Sequence, residues 1–268
     1  MTLRAVDLAF SWGRKPVLDG VSLDVPEGAL VGLVGPNGAG MSTLLRCLYG
    51  ALRPQRGHVL VDGTDLRALR PAQVARVLGV VPQSSSPVFA VSVAYFVGMG
   101  RFAREPFLGG PTAGDRAVVA RCLEEMGLSA LAERPIDELS GGEFRRVLIA
   151  QALAQEPRVL LFDEPVQQLD LLHQLQVMEF ARSFTRRGGT AGLIVLHDLG
   201  LAARYCDVLA LLHEGRILAS GPAEEVLRPE ILRTAYGVET SIERSRTTGV
   251  WHVVPLAPST VPPFAPPA

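Results

Sequence analysis

Apolar residues along this chain fall into short blocks, punctuated by glycine, proline and charge, and the blocks follow two different periods. Runs at 3–10, 21–25, 29–34, 58–61, 159–162, 193–196 and 208–213 read as strands. Helical periodicity covers 42–49, 115–126, 142–155, 169–187 and 223–236. Within 115–126, Val118, Val119, Cys122, Leu123 and Met126 recur at spacings of three and four, which makes one apolar face. Strands followed by helices predict a layered α/β domain. Between about 84 and 138 the strand signals vanish, and proline, glycine and helical pattern predict a mainly helical insertion. From Pro255 the tail P-L-A-P-S-T-V-P-P-F-A-P-P-A is too rich in proline for a helix or an inner strand, so it is expected to be extended or disordered. No internal repeat is visible.

Composition adds bounds. A chain of 268 residues with 48% hydrophobic residues can fill one large core or two modest ones. The net charge of −1, with both signs interspersed, gives no support for nucleic acid as a partner. Cys47, Cys122 and Cys206 lie far apart among apolar neighbours and read as buried thiols in a reducing compartment. The opening M-T-L-R-A-V-D-L-A-F lacks the pattern of a signal peptide. The uncharged apolar run Pro87 to Gly100 is too short to span a bilayer, so the chain is expected to be soluble by itself.

Three motifs carry chemistry. Residues 35–43 read G-P-N-G-A-G-M-S-T, between the apolar run A-L-V-G-L-V and the helical S-T-L-L-R-C-L-Y. Strand, glycine-rich loop and helix in that order make a phosphate-binding loop, with backbone N–H groups and a helix N-terminus turned to the anion. Gly35, Asn37, Gly38, Gly40, Ser42 and Thr43 fit it, Ser42 being suited to Mg²⁺, but Met41 stands where the pattern G-x-x-x-x-G-K-[ST] has lysine. The second motif, V-L-L-F-D-E-P at 159–165, is a buried strand ending in two carboxylates. Asp163 is suited to a Mg²⁺ shell and Glu164 to orienting or deprotonating a water. The third, L-S-G-G-E-F-R-R-V at 139–147, puts Ser140, Gly141 and Gly142 at a helix start, an anion site that is also a capping box from Ser140 to Glu143.

Together these motifs resemble the nucleotide-binding subunit of an ATP-binding cassette transporter, over about residues 3–240. The resemblance implies a P-loop NTPase core with an N-terminal antiparallel β subdomain and the helical subdomain inserted at about 84–138, leaving 241–268 as an extension. It implies ATP and Mg²⁺ as ligands. It assigns Trp12 to adenine stacking, Gln83 of V-V-P-Q to the Q-loop and the Mg²⁺ site, Asp170 of Q-Q-L-D to the D-loop and His197 of V-L-H-D-L to the γ-phosphate. It further implies a head-to-tail pair of chains, each ATP lying between one P-loop and the partner's L-S-G-G-E. The helical insertion would meet a polytopic permease, partly through V-F-A-V-S-V-A-Y-F-V-G-M-G, and would reach an extracytoplasmic substrate-binding protein only indirectly. That arrangement puts the chain in the cytoplasm, on the inner face of the membrane. D-L-L-H-Q-L, M-G-R-F-A-R-E-P and H-E-G-R-I-L-A-S-G-P-A-E-E-V-L are similar to importer subunits for iron–siderophore, haem and cobalamin.

Two departures stand out. Met41 matches lysine in length but offers neither charge nor donor, and one charge-assisted hydrogen bond is worth about 1.5–3 kcal/mol. Nucleotide binding is therefore expected to weaken and hydrolysis to fall by roughly 10²-fold or more. Lys15, the sole lysine, lies in an N-terminal strand or turn, and Arg46 is expected to point away along its helix, so neither is expected to substitute. Val166, Gln167 and Gln168 follow D-E-P where the family more often has Thr and Ser or Asn. Glu164 and His197 are retained, which favours one isolated change over a decayed site. Three readings follow: an importer ATPase with its lysine replaced, a nucleotide-bound regulatory module without turnover, and a soluble cassette ATPase acting on ribosomes or DNA.

Overall fold

The computed structural model describes residues 2–83, 90–104 and 110–259. Strands β1 (Leu3–Trp12) and β2 (Lys15–Val25) form a long hairpin, followed by β3 (Leu30–Val34), α1 (Met41–Leu48), β4 (Arg56–Val61) and β5 (Thr64–Asp65). After α2 (Pro71–Ala75) and β6 (Leu78–Val81) come α3 (Val93–Gly98), α4 (Ala113–Glu125) and α5 (Gly141–Ala154). The chain then alternates through β7 (Val159–Phe162), α6 (Leu171–Thr185), β8 (Ala191–Leu196), α7 (Leu199–Tyr205) and β9 (Val208–His213). It ends in β10 (Arg216–Gly221), α8 (Ala223–Val226), α9 (Pro229–Tyr236), β11 (Val238–Arg244) and β12 (Trp251–Pro258).

The centre is a six-stranded sheet in the order β10-β9-β3-β8-β7-β6. Its members from β9 to β6 pair in parallel, and β10 closes the edge antiparallel to β9. Because the parallel strands are covered on both faces, they read as continuous apolar runs. The pleat then divides each run between two cores. Leu30 and Val34 of β3, Leu160 and Phe162 of β7, and Ile194 and Leu196 of β8 enter one apolar cluster with residues of α3–α7. Val31 and Leu33, Val159 and Leu161, and Leu193 and Val195 enter the other, with α1 and the strands β1, β2 and β4. The second cluster is roofed by an antiparallel sheet of order β2-β1-β4-β5.

The structure corrects one expected helix and adds elements that the sequence did not flag. Strand β6, next to β7 in the sheet, escaped the sequence reading because it is four residues long and carries Gly79. That glycine is closely packed: a Cβ would come within 2.9 Å of Leu160 Cδ1 and 3.0 Å of Pro157 Cγ, so both side chains would have to shift. The single helix expected over 223–236 is two, since Pro229 starts α9 and disfavours helix at the residue before it. The sequence also hid α3 and α7, of six and seven residues, too short for a clear period. The first residues of the proline-rich tail are extended, as expected, but they are paired: Pro255 lies opposite Thr240 in the β11–β12 ribbon. Ile242, Trp251 and Val253 of that ribbon pack against the first core, so the ribbon crosses residue 240 and is docked. Residues 260–268 of the tail lie outside the described residues, as do 84–89 and 105–109 of the expected insertion. With them fall the first residues of the uncharged run and of the expected docking stretch, and the end of M-G-R-F-A-R-E-P. Among the described residues no helix is long and apolar enough to cross a membrane.

From residue 90 to 138 the described elements are α3, α4 and short 3-10 turns, with one isolated bridge between Ser92 and Pro135. This part is clamped to α5. Arg101, buried, donates to Asp115 Oδ1 at 2.9 Å, to Ala154 O at 2.7 Å and to Glu156 Oε2 at 2.9 Å. Next to it, a Cβ on Gly100 would stand 2.3 Å from Gln151 O. Gly100→Ala is expected to push the turn off α5 and lower stability by about 1–3 kcal/mol, read as a drop in the urea midpoint. An unchanged midpoint would mean that this contact is absent in solution.

Candidate active site

Parallel strands deliver their carboxyl ends to one edge of a sheet, where ligands of open α/β sheets bind. In this molecule the loop after β3, Asp163–Glu164 after β7, Gln83 after β6 and His197 after β8 all leave from that edge, on four consecutive strands.

The glycine-rich loop is shaped by close approaches. A Cβ on Gly35 would meet Leu212 O at 2.3 Å, and Gly40, at φ +107°, lies where a Cβ would be 2.9 Å from Val17 O. Val17 belongs to β2, so the β1–β2 hairpin is seated on the loop. At the hairpin tip, Trp12 is half exposed (51%) and packs edge-on against Phe10 at 5.1 Å. Lys15 is exposed opposite it. Asn37 and Gly38 are exposed at the loop crest, and Ser42 and Thr43 are half-buried in the first turn of α1. Met41 is 5% exposed and belongs to the apolar cluster beneath the loop, with Leu18, Leu33 and Leu44. Its thioether brings no donor to the phosphate side.

The Ser42 hydroxyl stands close enough to the Asp163 side chain to favour its charged form, and Asp163 Oδ1 is buried without any partner. Burial first, and then the charge of Glu164, pushes the Asp163 carboxyl above its usual range. Arg46 acts in the opposite direction: although exposed, its charge reaches Asp163 and favours the carboxylate. An orphaned carboxylate oxygen beside a serine hydroxyl is an all-oxygen donor set suited to a hard cation such as Mg²⁺. Among the described residues no group of three or more His, Cys, Asp or Glu is placed to hold a metal, so other ligands would come from phosphates and water.

Glu164 is 9% exposed and adopts φ +46°, a left-handed conformation uncommon for a residue with a Cβ. That turn aims its carboxylate along the sheet edge. Gln83 Nε2 donates to Glu164 Oε2 at 2.9 Å and to Gln167 Oε1 at 2.8 Å. His197 Nε2 lies 3.0 Å from Glu164 Oε1. Gln83, Glu164 and His197, far apart in sequence, therefore form one contiguous set.

Ser140, Gly141, Gly142 and Glu143 stand apart from it: no hydrogen bond or ion pair joins them to the glycine-rich loop among the described residues. The capping box is present, with Glu143 N donating to Ser140 Oγ at 3.3 Å and Ser140 N to Glu143 Oε2 at 2.8 Å. Glu143 is held below the usual carboxylate range by the Ser140 N–H and then by the Ser140 hydroxyl, which also donates to Oε2 at 2.8 Å. Gly141 is exposed, with open space around it. Asp170 caps α6, accepting from His173 N at 2.9 Å, and lies 2.7 Å from His173 Nδ1. The His173 ring in turn fills the space where Gly142 would carry a Cβ, 2.8 Å away. His173 and Gln167 were not singled out in the sequence. His173 could have been, from its spacing of three after Asp170; nothing flagged Gln167 beyond its departure from the family.

Comparison with known proteins agrees with this geometry. A family model described as ABC transporter matches residues 18–167. The hemin import ATP-binding protein HmuV of Bordetella pertussis is 42% identical over 250 residues, covering 90% of this chain and 94% of that protein. The cobalamin import ATP-binding protein BtuD of Halobacterium salinarum is 41% identical over 256 residues, covering 96% of this chain and 64% of that protein. Among solved structures, a metal-chelate type ABC transporter in an inward-facing conformation superposes with a TM-score of 0.83 at 27% identity, covering 95% of this chain and 97% of that one.

The raised Asp163 pKa has a definite sign. A carboxyl whose folded pKa exceeds its unfolded value of about 4 stabilises the fold only while protonated, and that contribution is lost as pH rises through the folded pKa. Asp163→Asn is therefore expected to raise the thermal midpoint at pH 7 without divalent cation, the gap closing as pH falls towards about 4. The same variant should lose any stabilisation by Mg²⁺. A variant less stable at pH 7 in metal-free buffer would contradict this.

Proposed function

The chain belongs to the ABC transporter family, and on that premise we propose that it is the ATP-binding subunit of an importer for haem, cobalamin or a related metal chelate, with turnover held down by Met41. The family hydrolyses ATP to drive transport. The observation that carries the reading here is the joined set of Ser42–Asp163 and Gln83–Glu164–His197 on one sheet edge.

In this reading the backbone N–H groups of the 35–43 loop bind the ATP phosphates, and Trp12 stacks on the adenine. Ser42 and Asp163 hold Mg²⁺, with Gln83 beside them; when bound, the ion neutralises phosphate charge. Glu164 orients the attacking water and accepts its proton, and His197 contacts the γ-phosphate. Met41 leaves the phosphates without the cation that stabilises charge as it moves during transfer. Arg46, whose charge reaches Asp163, offsets part of that loss at longer range.

A second copy supplies Ser140–Glu143 to the opposite face of each ATP. Leu171 and Leu172, 78% and 62% exposed beside Asp170, support such a pairing. A permease docks on the α3–α4 side, where exposed Tyr95, Met99 and Phe102 border an apolar cavity of about 530 Å³. That attachment keeps the chain on the cytoplasmic face of the membrane, and a substrate-binding protein on the far side acts through the permease alone. The buried, uncharged Met41 beside an otherwise complete site also supports a second reading, a nucleotide-bound regulatory subunit without turnover.

Steady-state hydrolysis with nucleotide binding, on the native chain and on Met41→Lys, separates these. The native chain is expected to bind MgATP weakly, and Met41→Lys to hydrolyse it roughly 10²-fold faster, a gain abolished by adding Glu164→Gln. Equal rates with and without lysine would overturn the role given to Met41. Binding without turnover in both would favour the regulatory subunit.

A further inference from the structure

Arg145 lies one turn into α5, three residues beyond Gly142, and is 9% exposed. Among the described residues its guanidinium has no carboxylate partner. Instead Nη1 donates to Pro82 O at 2.7 Å and Nη2 to Gln83 O at 2.5 Å. Burial lowers its pKa, yet arginine stays charged in proteins. A buried cation satisfied by neutral carbonyls is costly unless both bonds are kept, so the two carbonyls and the helix must move as one piece.

The partners make the contact consequential. Gln83 holds Glu164 through its side chain while Arg145 holds Gln83 through its backbone. Ser140–Glu143, at the start of the same helix, lie within about one turn of Arg145. An unbroken line of contacts thus runs from the start of α5 through Arg145, Gln83 and Glu164 to His197.

We infer that Arg145 is a positioning residue: its fork to the Pro82 and Gln83 carbonyls transmits movement between the Ser140–Glu143 end of α5 and the carboxylate that faces the attacking water. The inference rests on the nucleotide-binding role proposed above. It adds a specific mechanical link, since a hinge at Gln83 alone would let α5 shift without moving Glu164.

Spatial continuity does not prove coupling, so the test must read transmission itself. Hydrogen exchange is followed in the full native chain and in Arg145→Met, with and without MgATP, alongside the affinity for MgATP. In the native chain, nucleotide is expected to change exchange both in the segment ending at Gln83 and in helix residues 141–147. In Arg145→Met the first change persists and the second falls by at least about half, with affinity altered less than about threefold. Arg145→Lys keeps the charge and can reach one carbonyl. It is expected to restore part of the response, and it serves as the test if the methionine variant does not fold. Full transmission in Arg145→Met, or no response of residues 141–147 in the native chain, would overturn the inference. Failure of the native chain to bind MgATP at all would instead remove the functional reading beneath it, and the affinity measurement identifies that case.

Discussion

The site depends on one constraint: four neighbouring strands, β3, β8, β7 and β6, run parallel in register, so their carboxyl ends open on one line. Parallel pairing forces each return connection across a face of the sheet, and those connections are the helices that fill the two cores. The same backbone choice therefore builds the hydrophobic interior and gathers the loop at 35–43, Gln83, Asp163–Glu164 and His197, which span more than half the chain in sequence. A register slip of one residue in β7 would exchange Leu161 and Phe162 between the cores and misplace both carboxylates.

Electrostatics at this edge are lopsided. Two adjacent carboxylates occupy the end of β7, one of them with an orphaned oxygen, while the position that would bring a positive charge into the loop carries a thioether packed below it. Arg46 is the near cation that acts on Asp163, and it does so from an exposed position where water screens it.

How much was legible in the sequence varied by kind. Strands β3, β7, β8 and β9, buried on both faces, announced themselves as unbroken apolar runs, and the glycine-rich loop and D-E-P ending named their chemistry directly. Short or glycine-bearing elements did not: β6 has four residues, and its Gly79 is explained only by Leu160 and Pro157 pressing on it. The β11–β12 ribbon was hidden because β11, V-E-T-S-I-E-R, is largely polar and β12 ends in the proline-bearing P-L-A-P. Residues that act through backbone carbonyls were equally invisible. Arg145 reads as one more surface arginine of an amphipathic helix, and only tertiary structure shows it buried against Pro82 and Gln83.

Glu164 combines buried chemistry with an awkward backbone. At φ +46° a residue with a Cβ costs on the order of 1 kcal/mol over glycine, and asparagine would fit more easily. Foldability and reactivity thus pull this position in opposite directions. A lineage that no longer used the carboxylate could relieve the backbone by changing this residue, at the cost of its contacts with Gln83 and His197. Position 164 is therefore a gauge of use: its identity among descendants of this chain records whether the site still works for its living.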